Sequence, residues 1–257
     1  SGSELGWRSG TGKWPPYYVD SLPAMVNIGP GSPVGVEFGT GAKFPAKYQQ
    51  ALFICDWTFG TMYAIHTTPS GSTYSATKEE FVSRAPLPLT DVVIGKDGAM
   101  YFTVGGRGTQ SELYRVTYVG KESTAPAVQG KDKTVEASAL RQLRRKLEVF
   151  HGGTKAGNED IQFIISNLSH SDRFIRYAAR VALEHQPVTQ WQDIALASSK
   201  PLAAIQGVVA LAHQADKSLE SKTIATLLGI DYSSLDEVTK LDWLRAMQLV
   251  FVRMGMP

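Results

Sequence analysis

Residues 89–119 read LTDVVIGKDGAMYFTVGGRGTQSELYRVTYV, and this stretch decides the predicted fold. Runs of β-branched, aromatic and aliphatic residues alternate in it with turn residues, at 89–94, 99–104 and 112–119. The Asp97-Gly98 pair supplies the positive φ that a tight hairpin needs, and the glycine-rich sequence at 105–108 favours a looser loop. The spacing therefore predicts a three-stranded antiparallel meander without a helix.

The sequence before this meander predicts a second unit of the same kind. Its short strands are expected at 33–38, 51–56, 61–67 and 72–84. Radial repetition of such units in a β-propeller removes unpaired strand edges, but two units fall short of the ~4–8 blades of a closed ring. Because the chain begins with Ser1 and not Met, we expect it to be part of a longer protein.

Past residue 121 the pattern changes. Residues 122–132 are rich in Ser, Thr, Pro, Gly and Lys, and beyond them apolar residues take helical spacing. The predicted helices are 134–151, 159–168, 171–185, 188–197, 201–215, 219–228 and 235–254. The fold class is therefore α+β. We predict a partial β-propeller of about two blades over 1–120, a linker over 121–133 and a helical repeat domain over 134–257.

Composition excludes several classes of function. A net charge of +2 implies neither a nucleic-acid partner nor an anionic membrane surface. The single cysteine, Cys55, allows no disulfide within the chain and no cysteine-based zinc site, and its place in an apolar run predicts an inert thiol. No metal-ligand spacing is present, so no metal is predicted. No apolar run approaches the ~20 residues of a membrane span.

Five residues of the strand region are candidates for a ligand site. Asp56 could orient a ligand or cation at the end of a strand, and Trp57 could stack on a sugar. The alternative for Asp56 is that it caps the following turn. His66 could act as a base or ligand, or be a strand histidine that a neighbouring loop satisfies. Arg84 and Arg107 could bind a carboxylate or phosphate, although loop arginines are usually solvated.

The helical region carries one specific motif. Residues 172–184, DRFIRYAARVALE, closely resemble the second helix of a HEAT repeat. In that resemblance Asp172 begins the helix, Arg176 lies one turn later, and the two form a structural pair. Small residues at Ala178 and Ala179 allow close helix packing.

The strand region resembles the C-terminal blades of the glucose/sorbosone dehydrogenase family, six-bladed propellers of which some bind pyrroloquinoline quinone. The matching segments are ELGW at 4–7, SPVGV at 32–36, FP at 44–45, ALFI at 51–54, DVVIGKDGAMY at 91–101 and LYRV at 113–116. Such a propeller followed by HEAT repeats is similar to the large secreted or membrane-bound dehydrogenase-like proteins of planctomycetes. These proteins commonly continue into a c-type cytochrome domain.

The resemblance implies quinone binding, for which this chain has only some of the expected residues. Quinone-binding members carry a lysine and two arginines where this chain has Thr58, Pro88 and Thr90, so cations that would neutralise the quinone are missing. No cofactor is expected in this chain, while the resemblance implies pyrroloquinoline quinone and calcium, or haem c, for the longer protein. It also implies a periplasmic or secreted location and a carbohydrate or cytochrome partner.

Two functions remain open from the sequence. The chain is either a non-catalytic part of a sugar or alcohol dehydrogenase-like protein, or a carbohydrate- or protein-binding scaffold without redox activity. Whether the longer protein is an enzyme stays open. We also expect the apolar residues of 51–54 and 89–94 to need cover from adjoining blades, from a second copy of the chain, or from helices within 134–168 through Leu143, Leu147, Ile161 and Ile165.

Overall fold

The structure is a computed structural model that describes residues 15–106, 108–127, 135–214 and 216–255. Antiparallel sheets come first in the chain and a helical segment follows, which confirms the predicted change from strands to helices. The chain divides into two compact units. The sheet unit comprises 25–70 and 74–133, and the helical unit comprises 1–24, 71–73 and 134–257. The predicted linker, 121–133, lies partly outside the described residues, and the domain boundaries stay a prediction.

Two sheets form the strand region, each with its strands in chain order. The four-stranded sheet contains β1 (Pro33–Phe38), β2 (Leu52–Asp56), β3 (Thr61–Ser70) and β4 (Thr73–Ser83). The three-stranded sheet contains β5 (Leu89–Ile94), β6 (Met100–Gly106) and β7 (Thr109–Val116). The second sheet is the predicted meander. Its last strand begins earlier than expected, because Thr109 already pairs with Gly106.

The Asp97-Gly98 pair forms the expected tight turn between β5 and β6. Gly98 takes a φ of +81°, and its N–H donates to the Gly95 carbonyl at 2.9 Å. The Asp97 carboxylate accepts from Arg115 Nη2 at 2.9 Å and from the Tyr101 hydroxyl at 2.8 Å. These hydrogen bonds, that of Arg115 foremost, lower the pKa of Asp97 to about 2. The turn residues thus also tie β5–β6 to β7.

The core of the sheet unit lies between the two sheets, where β1 and β2 pack against β5. Its members include Ala51, Phe53, Leu89 and Val92, all at most 5% exposed. The expectation that these side chains need cover from the helices or from a second copy is therefore wrong. The two sheets cover them by packing face against face.

The connection between β1 and β2 contains a short helix. This helix, α1 (Ala46–Gln49), forms a single turn. Pro45 precedes it with a φ of −52°, and its carbonyl accepts from the N–H of Tyr48 at 2.9 Å. Proline is pre-organised for this first turn because its ring fixes φ near the helical value.

The helical segment alternates α-helices with short 3₁₀ turns. Its α-helices are α2 (Val135–Glu148), α3 (Asn158–Ser166), α4 (Arg173–Glu184), α5 (Gln192–Leu196), α6 (Pro201–Gln214), α7 (Glu220–Leu228) and α8 (Glu237–Arg253). The 3₁₀ turns are Val149–Gly152, Val188–Gln190, Lys217–Leu219 and Tyr232–Ser234. None of the described helices is long and apolar enough to cross a membrane.

One predicted helix, 188–197, is divided in two. A 3₁₀ turn over Val188–Gln190 ends before Trp191, whose φ of −133° is not helical, and α5 follows. The Trp191 side chain is fully buried, and its indole N–H donates to the Gln186 carbonyl at 3.3 Å. Burial of this large side chain overrides the local helical pattern.

Helix α6 is at the centre of the helical unit and packs against α4, α5, α7 and α8. Its residues from Ala203 to Ala212 are all buried, as expected for a helix that neighbours surround on every side. Leu147 and Ile161, which were expected to cover the sheets, belong to this helical core.

The amino end of α4 carries the Asp172 cap that the sequence predicts. The Asp172 carboxylate accepts from the N–H groups of Phe174 and Ile175. It also accepts from the backbone N–H of Ser72 at 2.7 Å and from its hydroxyl at 2.9 Å. Burial alone would raise the pKa of Asp172, but these hydrogen bonds hold it below its ordinary value.

Candidate functional site

An open groove of about 610 Å³ lies on the sheet unit, along β6 and β7 and beside the end of β2. It is lined by Trp57, Thr90, Thr103, Val104, Gly105, Gly106, Ser111, Glu112 and Leu113. Of the four predicted site residues that the structure describes, Trp57 alone lines it.

The indole of Trp57 is held in the wall of this groove. Its backbone N–H donates to the Ser32 carbonyl at 3.1 Å, which fixes the turn after β2. Its ring N–H donates to the Gly105 carbonyl at 2.9 Å, so the side chain is anchored to β6. An aromatic ring that is fixed in this way presents apolar surface to a ligand at low cost in conformational entropy.

The remaining polar groups of the groove are hydroxyls and one carboxylate. Thr90 and Thr103 approach each other at 2.8 Å between their hydroxyl oxygens, and Ser111 and Glu112 lie on the neighbouring strand. No lysine or arginine occurs among the described lining residues. These described groups suit a neutral ligand with an apolar face and several hydroxyl groups.

The Asp56 side chain caps the turn after β2. It is 1% exposed, and its Oδ1 accepts from the N–H groups of Ser32 and Thr58, each at 2.9 Å. This is the capping arrangement that the sequence left open beside the ligand role. Asp56 is not among the residues that line the groove.

His66 lies in a separate polar cluster on β3 and β4. Its Nε2 is 2.9 Å from Glu79 Oε2, and Glu79 also accepts from the Tyr48 hydroxyl at 2.8 Å and from Lys47 at 3.3 Å. The hydrogen bond from Tyr48, supported by His66 and Lys47, holds the pKa of Glu79 below its ordinary value. The polar groups of this cluster pair with one another, and the cluster is distinct from the groove.

Arg84 neighbours the groove without lining it. Its Nη2 donates to the Tyr114 hydroxyl at 3.1 Å and lies 3.8 Å from the carboxylate of Glu112, which does line the groove. Arg107 lies outside the described residues. The five predicted site residues are thus not brought together at one point of the structure that is described.

The positions expected for quinone-binding cations carry neutral groups with local roles. The Thr58 hydroxyl donates to Ser32 Oγ at 2.9 Å. The Pro88 carbonyl accepts from the Gly105 N–H at 3.0 Å, and Thr90 lines the groove. A quinone carboxylate at these positions would face hydroxyls and Glu112 in place of cations.

In the helical unit, Asp172 and Arg176 both hold the loop before α4. Asp172 caps the helix, and Arg176 Nη1 donates to the carbonyls of His170 at 2.7 Å and Ser171 at 3.0 Å. Asp172 thus satisfies N–H groups that the helix leaves unpaired at its amino end, while Arg176 satisfies carbonyls of the preceding loop.

A reactive centre in the described part of the chain could involve the cysteine or a group of metal ligands. Cys55 is fully buried, and burial raises the pKa of its thiol to about 12. No group of three or more His, Cys, Asp or Glu side chains among the described residues could hold a metal ion.

Sequence reasoning missed most of the groove. The sequence predicts Thr103 and Glu112 only as strand residues, and Ser111 precedes the predicted third strand. Thr103 interrupts the apolar run 99–104, and that interruption is a signal that could have identified it. Comparison of the chain with protein-family models, with curated proteins and with solved structures found no match.

Proposed function

We propose that this chain is a non-catalytic, carbohydrate-binding scaffold, and that it forms part of a longer protein similar to the glucose/sorbosone dehydrogenases. The observation that carries the binding role is the groove in which the anchored Trp57 indole lies among hydroxyl groups and the Glu112 carboxylate. An aromatic face packs against the C–H face of a sugar ring, while hydroxyls and a carboxylate exchange hydrogen bonds with its hydroxyl groups.

The proposal includes a more detailed classification of the fold. We infer that the two sheets are consecutive blades of a β-propeller and that the helices are HEAT-like repeats. Strand order within each sheet and the packing of β1 against β5 support the blades. The capping by Asp172 and the loop contacts of Arg176 support the repeat.

An unpartnered face on β1 supports a longer protein. Val34, Val36 and Phe38 alternate along this strand, and each is between 45% and 57% exposed. An adjoining blade would cover such a row, because clustered apolar side chains mark interaction surfaces. A periplasmic or secreted location, a cytochrome partner and self-association stay predictions of the resemblance and of this exposed face.

A redox role for this chain alone is opposed by the charges of the groove. Pyrroloquinoline quinone carries carboxylates, and desolvating one without a partner costs several kcal/mol. Thr58, Pro88 and Thr90 supply no cation, and Glu112 adds a like charge. The quinone or haem chemistry of the longer protein would depend on residues other than these.

Calorimetric titration of the full chain tests the proposal, with maltose and cellobiose as neutral ligands and pyrroloquinoline quinone as the anionic one. We expect millimolar or tighter binding of at least one disaccharide and no micromolar binding of the quinone. Trp57→Ala should weaken disaccharide binding at least tenfold, because stacking is lost.

Phe59→Ala is the matched control, since Phe59 is an aromatic residue two positions away, is 54% exposed and does not line the groove. It should bind as the unaltered chain does. Equal effects of the two substitutions, or binding that both tolerate, would remove the groove as the carbohydrate site. Micromolar quinone binding would favour the redox alternative.

A further inference from the structure

A second cavity, of about 310 Å³, lies within the helical unit, between the amino-terminal segment 15–24 and helices α4, α6 and α8. Tyr17 and Val238 are at its mouth, where they are 51% and 62% exposed. Arg176, Gln206 and Asp242 form its floor and are at most 9% exposed. The walls are thus aromatic and aliphatic, while the floor is polar.

Each floor residue has a buried polar atom without a hydrogen-bond partner among the residues that the structure describes. These atoms are Arg176 Nε, Gln206 Oε1 and Asp242 Oδ2. Buried polar groups in folded proteins almost always have partners, and an unpaired one is costly. Arg176, Gln206 and Asp242 thus place a guanidinium, a carboxamide and a carboxylate at one end of the cavity, and that end favours a polar ligand.

Side-chain contacts hold the amino-terminal wall of this cavity in place. Arg173 donates to the backbone carbonyls of Pro16, Tyr18 and Ser21, and Arg245 pairs with Asp20. These two arginines hold the segment 15–24 against the helices. The guanidinium of Arg173 is occupied by carbonyls, so the floor residues supply the polar groups of the site.

The mixed charges of the floor disfavour charged ligands. An ammonium or guanidinium group could donate to Gln206 and Asp242, but it would be repelled by Arg176. A carboxylate or phosphate could accept from Arg176, but it would be repelled by the Asp242 carboxylate. A ligand that both donates and accepts hydrogen bonds and carries no net charge therefore suits this floor best.

We propose that this cavity binds a neutral, polyhydroxylated molecule of monosaccharide size. A hydroxyl group both donates and accepts, so a ring with several hydroxyls suits a floor that combines a guanidinium, a carboxamide and a carboxylate. The Tyr17 and Tyr177 rings in the cavity lining offer apolar surface for its C–H face. The site is independent of the groove at Trp57.

Saturation-transfer NMR and thermal unfolding of the full chain test this proposal. The probes are D-glucose, D-galactose and myo-inositol, with D-glucuronate and D-glucosamine as charged analogues and nicotinamide as a neutral carboxamide. We expect at least one neutral polyol to bind and to raise the unfolding temperature. Its charged analogues should bind at least tenfold more weakly, and this pattern should persist in Trp57→Ala.

Gln206→Met removes one acceptor at nearly constant volume. It should weaken polyol binding at least tenfold and leave the unfolding temperature of the free chain unchanged or higher, because an unpaired buried oxygen is removed. Gln192→Met is the matched control, since Gln192 Oε1 is also buried and unpaired but lies outside the cavity lining. This control should bind normally.

Val238→Trp is a second variant. It leaves the core packing unchanged, because Val238 is exposed at the mouth of the cavity. It should block binding, whereas Val252→Trp on the same helix, 75% exposed and away from the lining, should not. The proposal is overturned if no polyol binds, if charged analogues or the carboxamide bind better than the polyols, or if Gln206→Met and Val238→Trp both bind normally.

Discussion

Arg245 and Asp20 lie 225 positions apart in the chain and form a two-bond ion pair within the helical unit. Arg245 Nε donates to Asp20 Oδ1 and Nη2 donates to Oδ2, each at 2.8 Å. The side chains are 11% and 1% exposed, so the pair is largely shielded from water. The guanidinium carbon of Arg245 also lies 4.0 Å from the centre of the Tyr18 ring. The segment 15–24 is thereby fastened to α8.

Removal of one partner from this pair should be strongly destabilising. Asp20→Ala leaves a buried guanidinium without its carboxylate, which typically costs about 3–5 kcal/mol. Urea unfolding followed by circular dichroism at 222 nm reports the helical unit. The double variant Asp20→Ala/Arg245→Met should lose less than the sum of the single losses. Additive losses would show that the two residues are not coupled.

Gly71 should be intolerant of a side chain for two reasons. Its φ is +56°, and a Cβ at this position would lie 2.4 Å from the Asp172 carboxylate that caps α4. Gly71→Ala should therefore lower the free energy of unfolding by more than the about 1 kcal/mol that left-handed backbone strain costs. The measurement is the midpoint of urea unfolding.

Gly153→Ala separates strain from contact. Gly153 has a φ of +88° in the same unit, and a Cβ there would meet nothing within 4 Å. This control should carry the strain alone and cost less than Gly71→Ala. Equal losses in the two variants would mean that the contact with Asp172 contributes nothing.

Asp242 should make the stability of the helical unit depend on pH. Burial raises the pKa of Asp242 from 3.8 to about 6, although Arg176 and Arg173 oppose the rise and Asp236 adds to it. A carboxyl with a raised folded-state pKa stabilises the fold fully below pH 3.8 and loses that contribution as the pH rises through 6. The loss corresponds to at most about 3 kcal/mol.

Asp242→Asn removes this titration. Relative to the unaltered chain, the variant should become progressively more stable as the pH rises from 4 to 7. Urea unfolding of both chains across this range measures the difference between their free energies of unfolding. The titration of other carboxylates, such as Asp172 and Glu184, is common to both chains and cancels from this difference. A difference that does not change with pH would show that the two arginines keep Asp242 ionised.

Cys55 should react with thiol reagents only after unfolding. It is fully buried, and its pKa of about 12 leaves almost no thiolate at neutral pH. Labelling with an aromatic disulfide reagent should be at least a hundredfold slower for the folded chain than in denaturant. Because Cys55 is the single cysteine of the chain, the absorbance reports this position alone. Fast labelling of the folded chain would indicate local opening at β2.

Local sequence was enough to predict much of the fold. The alternation of apolar residues in 89–119, the Asp97-Gly98 turn and the Asp172 cap all depend on neighbours within a few positions, where backbone geometry and short-range hydrogen bonds dominate. The period of the apolar residues also predicted the change from sheets to helices, because each period can bury its apolar side in only one kind of element. Trp191 shows the limit, since its burial interrupts a helix that the local pattern favours.

The sites depend on contacts between distant parts of the chain, which a local pattern does not contain. Trp57 is anchored by Gly105, 48 positions away, and Asp20 is paired with Arg245 across 225 positions. Arg176, Gln206 and Asp242, which lie on three different helices, line one cavity because those helices pack together there. Burial and partners are properties of that packing, and they decide whether a polar side chain is solvated, structural or available to a ligand.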